Sequence, residues 1–306
     1  MTRPILFSET SLDRRAEARD DPEWVAAARA DAGTRYLVGT AAAQLVSSGE
    51  STEIAFLGGD HALVTAATES DLTLLGWFRG ARCVLVEVRE PAPGELLPPG
   101  TEFRELRPLA PLLPPDSATL LAYARALGLW RSRHRHCGVC GAPNIPARAG
   151  HVMRCSRAGC GHETFPRLDP AIIVLVTSAD GERALLGRQA AWPAGRYSTV
   201  AGFVEPGESL EDAVIREVEE ETGVHVGDVQ YDSSQPWPFP SSLMLGFRAV
   251  ARTHDITLRD GELEDARWFS RADIASGHPA LPPPGAISAR LIDGWFGGGS
   301  PPPRRW

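Results

Sequence analysis

Lysine is absent from this 306-residue chain; all 31 basic residues are arginine. Any positive charge it offers to an anion is therefore a guanidinium, a bias we read as compositional rather than mechanistic. Long apolar runs are missing too. None approaches the roughly 20 residues of a membrane-spanning helix, so no membrane partner is expected. The start, Met1-Thr2-Arg3-Pro4-Ile5, has no apolar stretch after its charge. No export leader is expected, and the cytoplasm is the default location. Cysteine is scarce: five in all, four of them in one short window. The remainder is ordinary for a soluble globular protein, with 43% hydrophobic and 23% charged residues. The length suits two domains and a small third module. With 39 acids against 31 arginines the net charge is −8. A protein this acidic needs metal ions or local arginines wherever it handles an anion.

Residues 1–115 carry short apolar runs: Tyr36-Leu37-Val38, Ile54-Ala55-Phe56-Leu57 and Leu72-Thr73-Leu74-Leu75. Gly, Asp and Ser separate them, which predicts a small β-rich domain without a chemical motif. Cys83 sits in the apolar run Ala81–Val86 and reads as a small core residue. The proline-rich stretch from Glu90 to Gly100 reads as a loop. Pro114-Pro115-Asp116-Ser117 announces a helix over 116–133, with Leu120, Leu121, Ala124, Leu127 and Leu129-Trp130 on its apolar face, leading into the next module.

Residues 131–167 hold seven arginines, four histidines and one acid, Glu163. Within the module 134–167 lie Cys137-x2-Cys140 and Cys155-x4-Cys160. Two such pairs suit tetrahedral Zn2+ on two knuckles, with Gly138, Gly141, Gly159 and Gly161 easing the turns. Two disulfides are the competing reading, disfavoured where nothing suggests export. His136, His151 and His162 could substitute as ligands. Four cysteines would close the shell and make the metal structural.

A third domain is expected over 168–296. Ala171–Val176 reads as a strand buried on both faces, Ala184-Leu185-Leu186 and Leu243–Val250 as further strands, and Trp268-Phe269 as the end of another. Ile287–Phe296 reads as a closing helix, and 297–306 as a disordered tail. Inside this domain Ser209–Thr222 reads as a helix with a buried stripe at Leu210, Val214 and Val218. Glu217, Glu220 and Glu221 fall at i, i+3 and i+4, so their like charges converge on another sector of the helix. A hard cation such as Mg2+ or Mn2+ between them would make sense of that repulsion. A solvated acidic face is the bland alternative, and we assign it to Glu219.

The run 202–224, GFVEPGESLEDAVIREVEEETGV, resembles the Nudix box G-x5-E-x7-R-E-U-x-E-E-x-G-U at every fixed position, where U is aliphatic. The resemblance implies an α+β chain whose catalytic part is the Nudix α/β/α sandwich with a mixed sheet. It also implies hydrolysis of a nucleoside diphosphate linked to another moiety. Further on, Ser234-Gln235-Pro236-Trp237-Pro238-Phe239-Pro240-Ser241-Ser242 resembles the S-Q-P-W-P-F-P-x-S array of the NADH pyrophosphatase family. Phe165-Pro166-Arg167-Leu168-Asp169-Pro170 and the cysteine module resemble that family as well. The alternating prolines would hold Trp237 and Phe239 on a stiff extended segment for stacking on flat rings. Gln235, Ser241 and Ser242 could hydrogen-bond ribose or phosphate. A loop with its aromatics packed inward is the bland reading.

The resemblance carries further roles. Phe165 and Phe203 are expected at the nucleotide base, and Ser288 at a backbone contact to substrate. The Ala201 carbonyl and Glu262 are expected to join Glu217, Glu220 and Glu221 on Mg2+ or Mn2+, with a plain loop acid as the lesser reading of Glu262. Arg216 is expected to orient a box carboxylate such as Glu208, and Glu220 is favoured as proton acceptor. NAD(H) would be cleaved at its pyrophosphate to AMP and NMN(H), by an enzyme expected to be a homodimer. Two alternatives stand beside this: removal of NAD caps from RNA 5′ ends by the same chemistry, and a nucleotide-binding module without turnover.

Overall fold

The computed structural model describes residues 5–9, 11–49, 51–90, 94–259 and 261–297. The tail beyond 297 lies outside the described residues. The chain forms two compact units. One consists of residues 7–167 with 238–241; the other is built mainly from residues 168–237 and those from 242 onward, joined by Leu6.

In the first unit, helix α1 (Pro22–Ala30) precedes strands β1 (Arg35–Gly39) and β2 (Ala43–Ser47). Helix α2 (Ala62–Thr65), strands β3 (Leu72–Phe78), β4 (Ala81–Glu87) and β5 (Thr101–Glu105), helix α3 (Leu106–Leu109) and helix α4 (Pro115–Arg133) follow. The sheet order is β3-β4-β1-β2-β5. Only β1 and β4 run parallel; the other pairs are antiparallel. Ile54–Leu57 contributes no full strand: Ile54 bridges to Val46 and Leu57 to Tyr36. Cys83 is completely buried in β4, and burial pushes its thiol up to about 12. The sequence suggested α4 as a connector. Instead it packs on β1, β2 and β3, with Ala118, Leu120, Leu121, Ala124 and Leu127 buried. It belongs to the core of this unit because its apolar face is too wide for a solvated link. Strands β6 (Asn144–Ala147), β7 (Val152–Cys155) and β8 (Glu163–Thr164) then form a three-stranded sheet that carries the cysteine module.

The second unit contains β9 (Asp169–Thr177), β10 (Arg183–Arg188), β11 (Val200–Phe203), helix α5 (Leu210–Thr222), β12 (Val226–Trp237), β13 (Ser242–Ala251), β14 (Asp265–Ser270), helix α6 (Arg271–Ala275) and helix α7 (Ile287–Phe296). The order is β12-β13-β9-β10-β14, with β11 also paired to β9. The β13–β9 pair is parallel and the others antiparallel, which makes the sheet mixed. Successive side chains of β9 point to opposite faces. Ile172, Val174 and Val176 pack with Ala213, Val214 and Val218 of α5. Ile173 and Leu175 pack with Ile287, Leu291, Ile292 and Trp295 of α7. The sheet is thus covered on both sides, and the continuous apolar run of β9 follows from its central place. Val214 and Val218 are fully buried, and each contributes about 1.5–3 kcal/mol through that burial.

Candidate active site

The box is a strand, a loop and a helix in succession. Strand β11 ends at Phe203, and Ser209 caps α5 by accepting from the Asp212 N–H at 3.1 Å. Arg216, on the second turn of α5, gathers the loop and the helix. It donates to Glu208 Oε2 at 3.1 Å and Oε1 at 2.6 Å, and to the Phe203 carbonyl at 3.0 Å. It also reaches Glu217 Oε1 at 3.0 Å and Glu220 Oε2 at 2.9 Å. These bonds hold the Glu208 carboxyl below the usual range and raise the Arg216 guanidinium. The orienting role expected for Arg216 is the geometry seen.

Glu217 and Glu221 are buried, at 9% and 3% exposure, while the Glu220 side chain is about half exposed at 52%. Burial raises the Glu217 carboxyl, Arg216 opposes that, and the charges of Glu220 and Glu262 push it the same way as burial. The Glu217 carboxylate lies against Gly202, where a Cβ would come within 1.9 Å of its Cδ. The Ala201 residue precedes it on the same strand. Glu219 turns instead toward His225, 3.4 Å away. The donor set is oxygen alone, with negative charges that only a hard cation offsets fully, so these residues fit Mg2+ or Mn2+. Arg216 stands between Glu217 and Glu220 in this arrangement.

The position of Glu262 is set by its neighbours, which the sequence alone did not reveal. Leu263 is buried against Gly187, where a Cβ would come within 2.6 Å of Leu263 Cδ1. Glu264 donates its N–H to the Arg188 carbonyl at 2.9 Å, and its carboxylate pairs with the Arg188 guanidinium. Arg188 is found only through the β10–β14 register, which places it opposite Asp265.

The proline-aromatic array is a hairpin rather than one extended segment. Ser234–Trp237 pair with Ser242–Leu245, so Pro238–Ser241 form the turn. Antiparallel pairing continues to the last possible rung, and this decides the bend. Trp237 is half-buried and Pro236 and Pro240 are exposed, whereas Pro238 and Ser242 are buried. Phe239 packs against Phe7 at 6.1 Å, with the Arg125 guanidinium 5.0 Å from its ring. Arg125 also donates to the Pro238 carbonyl at 2.6 Å. Gln235 is 1% exposed, and its amide is engaged inside the unit. Its Oε1 accepts from the Ile287 N–H at 2.9 Å, which caps α7; its Nε2 donates to the carbonyls of Gly285 at 2.9 Å and Leu6 at 3.2 Å. Gln235 therefore braces the start of α7, where the sequence suggested a contact to ribose or phosphate. Ser288 lies in that first turn, 5% exposed.

Cross-strand register aligns the aromatics of this unit. Phe203 lies opposite Ala171, Ala171 opposite Met244, and Met244 opposite Gln235. Trp237 is two residues beyond Gln235, so it shares its face. Phe203 is 60% exposed at the same end of the sheet. In the first unit Phe165 is 55% exposed, next to β8.

The four cysteines of the three-stranded module, Cys137, Cys140, Cys155 and Cys160, are free thiols. Among the described residues they alone bring three or more candidate ligand atoms within 4.8 Å of one another. Cys137 Sγ is 3.9 Å from Cys160 Sγ, and Cys140 Sγ is 3.4 Å from Cys155 Sγ. Disulfide bonds would need about 2.05 Å. Tetrahedral zinc, with sulfurs about 2.3 Å from the metal, needs separations of this order. The N–H groups of Val139 and Arg157 each donate to a cysteine sulfur at 3.4 Å, as knuckles require. These residues fit a structural Zn2+ without histidine.

A mixed sheet between two helices, with this box at one strand end, defines a Nudix hydrolase. Comparison with known proteins places it more narrowly. The NUDIX domain model matches residues 167–291, the NADH pyrophosphatase zinc ribbon domain 132–165, and the NADH pyrophosphatase-like rudimentary NUDIX domain 33–130. The NAD-capped RNA hydrolase NudC of Stutzerimonas stutzeri (strain A1501) is 46% identical over 220 residues, covering 72% of this chain and 75% of the relative. The NAD-capped RNA hydrolase NUDT12 of Homo sapiens is 34% identical, covering 95% of this chain and 73% of the relative. A crystal structure of a NUDIX hydrolase from Nitrosomonas europaea aligns with TM-score 0.37 and 22% identity over 46% of this chain and 80% of that one. The chain belongs to the NADH pyrophosphatase family of Nudix hydrolases. It is a Nudix hydrolase that works with Mg2+ or Mn2+ and carries a structural zinc ribbon. No helix among the described residues is long and apolar enough to cross a membrane.

Proposed function

We propose that the protein hydrolyses the pyrophosphate of NAD(H) to AMP and NMN(H), and cleaves the same bond where NAD caps an RNA 5′ end. The observation that carries this reading is the convergence at one end of the second unit's sheet. The box carboxylates approach β11 from the α5 face, and Phe203 and Trp237 share the other face at that end. Acids on one face and flat rings on the other, at one end of the same sheet, suit a pyrophosphate that carries a base. The relatives named as NAD-capped RNA hydrolases support the second substrate.

Glu217, Glu220, Glu221, Glu262 and the Ala201 carbonyl would hold the divalent ions. When bound, such ions neutralise phosphate charge and make a water molecule more acidic. The protein's own part is arrangement. Arg216 fixes Glu217 and Glu220 relative to the loop through Glu208 and Phe203. Glu220, the exposed member, accepts the proton of the attacking water. Trp237 stacks on one base, Phe203 serves the other, and the Ser288 N–H at the head of α7 donates to the substrate. Gln235, Pro236, Pro238, Phe239, Pro240, Ser241 and Ser242 give the hairpin its shape. The family resemblance extends the reading to a homodimer in the cytoplasm, and light scattering tests the assembly.

Wild-type protein and a Glu220→Gln variant, each with Mg2+ or Mn2+, are assayed on NADH and on NAD-capped RNA. The wild type should release AMP and NMNH from NADH, and NMN and a 5′-monophosphate RNA from the capped RNA. The variant should lose at least about a hundredfold in kcat with its fold intact. Wild-type turnover by the variant removes Glu220 from the mechanism, and failure of the wild type on both substrates overturns the reading.

A further inference from the structure

Glu262 is exposed, and residues 252–259 and 261–264, between β13 and β14, belong to no helix or strand. A carboxylate on such a loop loses conformational freedom when a cation takes it, unless the loop is already fixed. The loop's first half is tied to the end of α5. Thr257 donates its N–H to the Thr222 carbonyl at 2.8 Å, and Arg252 donates its N–H to the His225 carbonyl at 2.8 Å. The half that carries Glu262 is tied elsewhere. Leu263 is buried in the cluster that holds Ala213, Val214 and Val218 of α5, and it closes on Gly187. Glu264 is held twice by Arg188, the last residue of β10. Its N–H donates to the Arg188 carbonyl at 2.9 Å, and its carboxylate pairs with the Arg188 guanidinium.

Arg188 reaches a third segment. Its Nη2 donates to the Trp192 carbonyl at 2.9 Å, in the connection that leads from β10 into β11. That connection is closed at its far end by Ser198, which exchanges two backbone hydrogen bonds with Gly187, each 2.9 Å long. Ala201 follows three residues later on β11. The Arg188 side chain is 12% exposed, whereas that of Glu264 is half exposed. An ion pair open to water on one side adds little to stability. What this one fixes is geometry, because a guanidinium offers several donors in a rigid plane and can hold two segments at once. Arg216 gathers the acids of the helix. Arg188 gathers the segments of the two proposed donors that the helix does not carry, Glu262 and the Ala201 carbonyl.

We propose that Arg188 is a positioning residue for the divalent cation, acting through Glu262. Its carbonyl and guanidinium hold Glu264, Leu263 is anchored in the core beside it, and Glu262 is thereby presented from a fixed stretch of loop. The proposal rests on the reading of Glu262 as a cation ligand. Loss of a residue that holds a ligand in place changes metal affinity by about 10–100-fold.

The test is titration of the zinc-loaded full chain with Mn2+ alone, followed by paramagnetic resonance, with melting and NADH kinetics beside it. Arg188→Met should raise the Kd for Mn2+ at least about tenfold. Arg188→Lys keeps the charge opposite Glu264 and should recover part of that loss. Glu264→Gln should shift the Kd in the same direction as Arg188→Met. Its side chain is half exposed, so it tests the clamp even if Arg188→Met fails to fold. The deciding variant is Glu262→Gln. It should weaken Mn2+ by itself, and adding Arg188→Met to it should weaken Mn2+ no further, whereas the two changes in Tm should add. A merely structural arginine would leave Mn2+ affinity as it is, or would lower it equally with and without Glu262. Either result overturns the proposal. A raised KM for NADH at wild-type Mn2+ affinity would also overturn it, because it would place Arg188 on the substrate. If Glu262→Gln binds Mn2+ like the wild type, the ligand reading of Glu262 fails and the proposal with it. If Glu262→Gln weakens Mn2+ while Arg188→Met and Glu264→Gln do not, only the proposal fails.

Discussion

Gly202 has no room for a side chain, because the Glu217 carboxylate occupies the place of its Cβ, with Cδ at 1.9 Å. Gly202→Ala must therefore displace Glu217, while the core facing α5 keeps its packing. A misplacement of about 1 Å at a reacting centre costs on the order of a hundredfold. Gly202→Ala should lose that much in kcat, bind Mn2+ more weakly by paramagnetic resonance, and melt near the wild-type temperature. A variant with normal kcat would show that Glu217 does not need this position. A second single-residue effect concerns pH. His151 is 7% exposed, hydrogen-bonds the Leu74 carbonyl at 2.7 Å, and is held by burial at about 4 rather than its ordinary 6.5. Between those values the unfolded chain binds a proton that the folded chain refuses. Stability is therefore full above pH 6.5 and falls as pH drops toward 4, by about 3 kcal/mol in total. Denaturant unfolding at pH 7.5 and 5 should show this loss in the wild type and less of it in His151→Gln. The difference between the two proteins cancels any contribution of the cysteine site. Equal slopes would mean that His151 titrates normally.

At the scale of elements, helix α5 was legible because two independent spacings agree. The stripe Leu210, Val214, Val218 names its buried face, and the acids name another. The β9 run was legible for the same reason, since only a central strand is apolar at every position. The hairpin of β12 and β13 was not. Whether Phe239 extends from Trp237 or turns away depends on how far the two strands pair, which is a property of both strands together. The same holds for Gln235, whose partners Leu6, Gly285 and Ile287 are distant in sequence, and for the Arg188–Glu264 pair. The hairpin geometry separates the two aromatics. Trp237→Ala should raise KM for NADH by the equivalent of about 1–3 kcal/mol, with kcat little changed, and should matter less for a small diphosphate with a single base. Phe239 already packs on Phe7 beneath Arg125. Phe239→Ala should lower thermal stability and affect both substrates alike. Parallel kinetics and melting of the two variants distinguish these roles. Equal losses on both substrates for Trp237→Ala would show that its ring does not stack on a base.

At the scale of the whole molecule, the zinc ribbon joins a sheet with an exposed edge. Strand β3 is the outermost strand of the first unit's sheet, and outer strands invite pairing with other chains. The ribbon covers that edge. Gly150 lies so close to β3 that a Cβ would come within 2.5 Å of Thr73 Oγ1, and His151 takes the Leu74 carbonyl. Arg131 of α4 ties the adjoining Leu72 carbonyl to the same region at 2.9 Å. The ribbon's own sheet has three short strands, of four, four and two residues. Strands so short cannot bury enough apolar surface to order themselves, so four thiolates on one metal must supply the difference. Zinc removal should then do more than loosen the ribbon, because it uncovers β3. Purified protein should contain about one zinc per chain, and Cys137→Ser should lose it. A loss of even about 3 kcal/mol would lower Tm by roughly 6–12 °C in a unit of this size. Aggregation on heating should begin earlier in the variant. Metal analysis and melting check the first two outcomes, and light scattering during the melt checks the third. A zinc-free variant that melts like the wild type would show that the ribbon folds without its metal; one that melts early yet does not aggregate would show that the β3 edge is protected by something else.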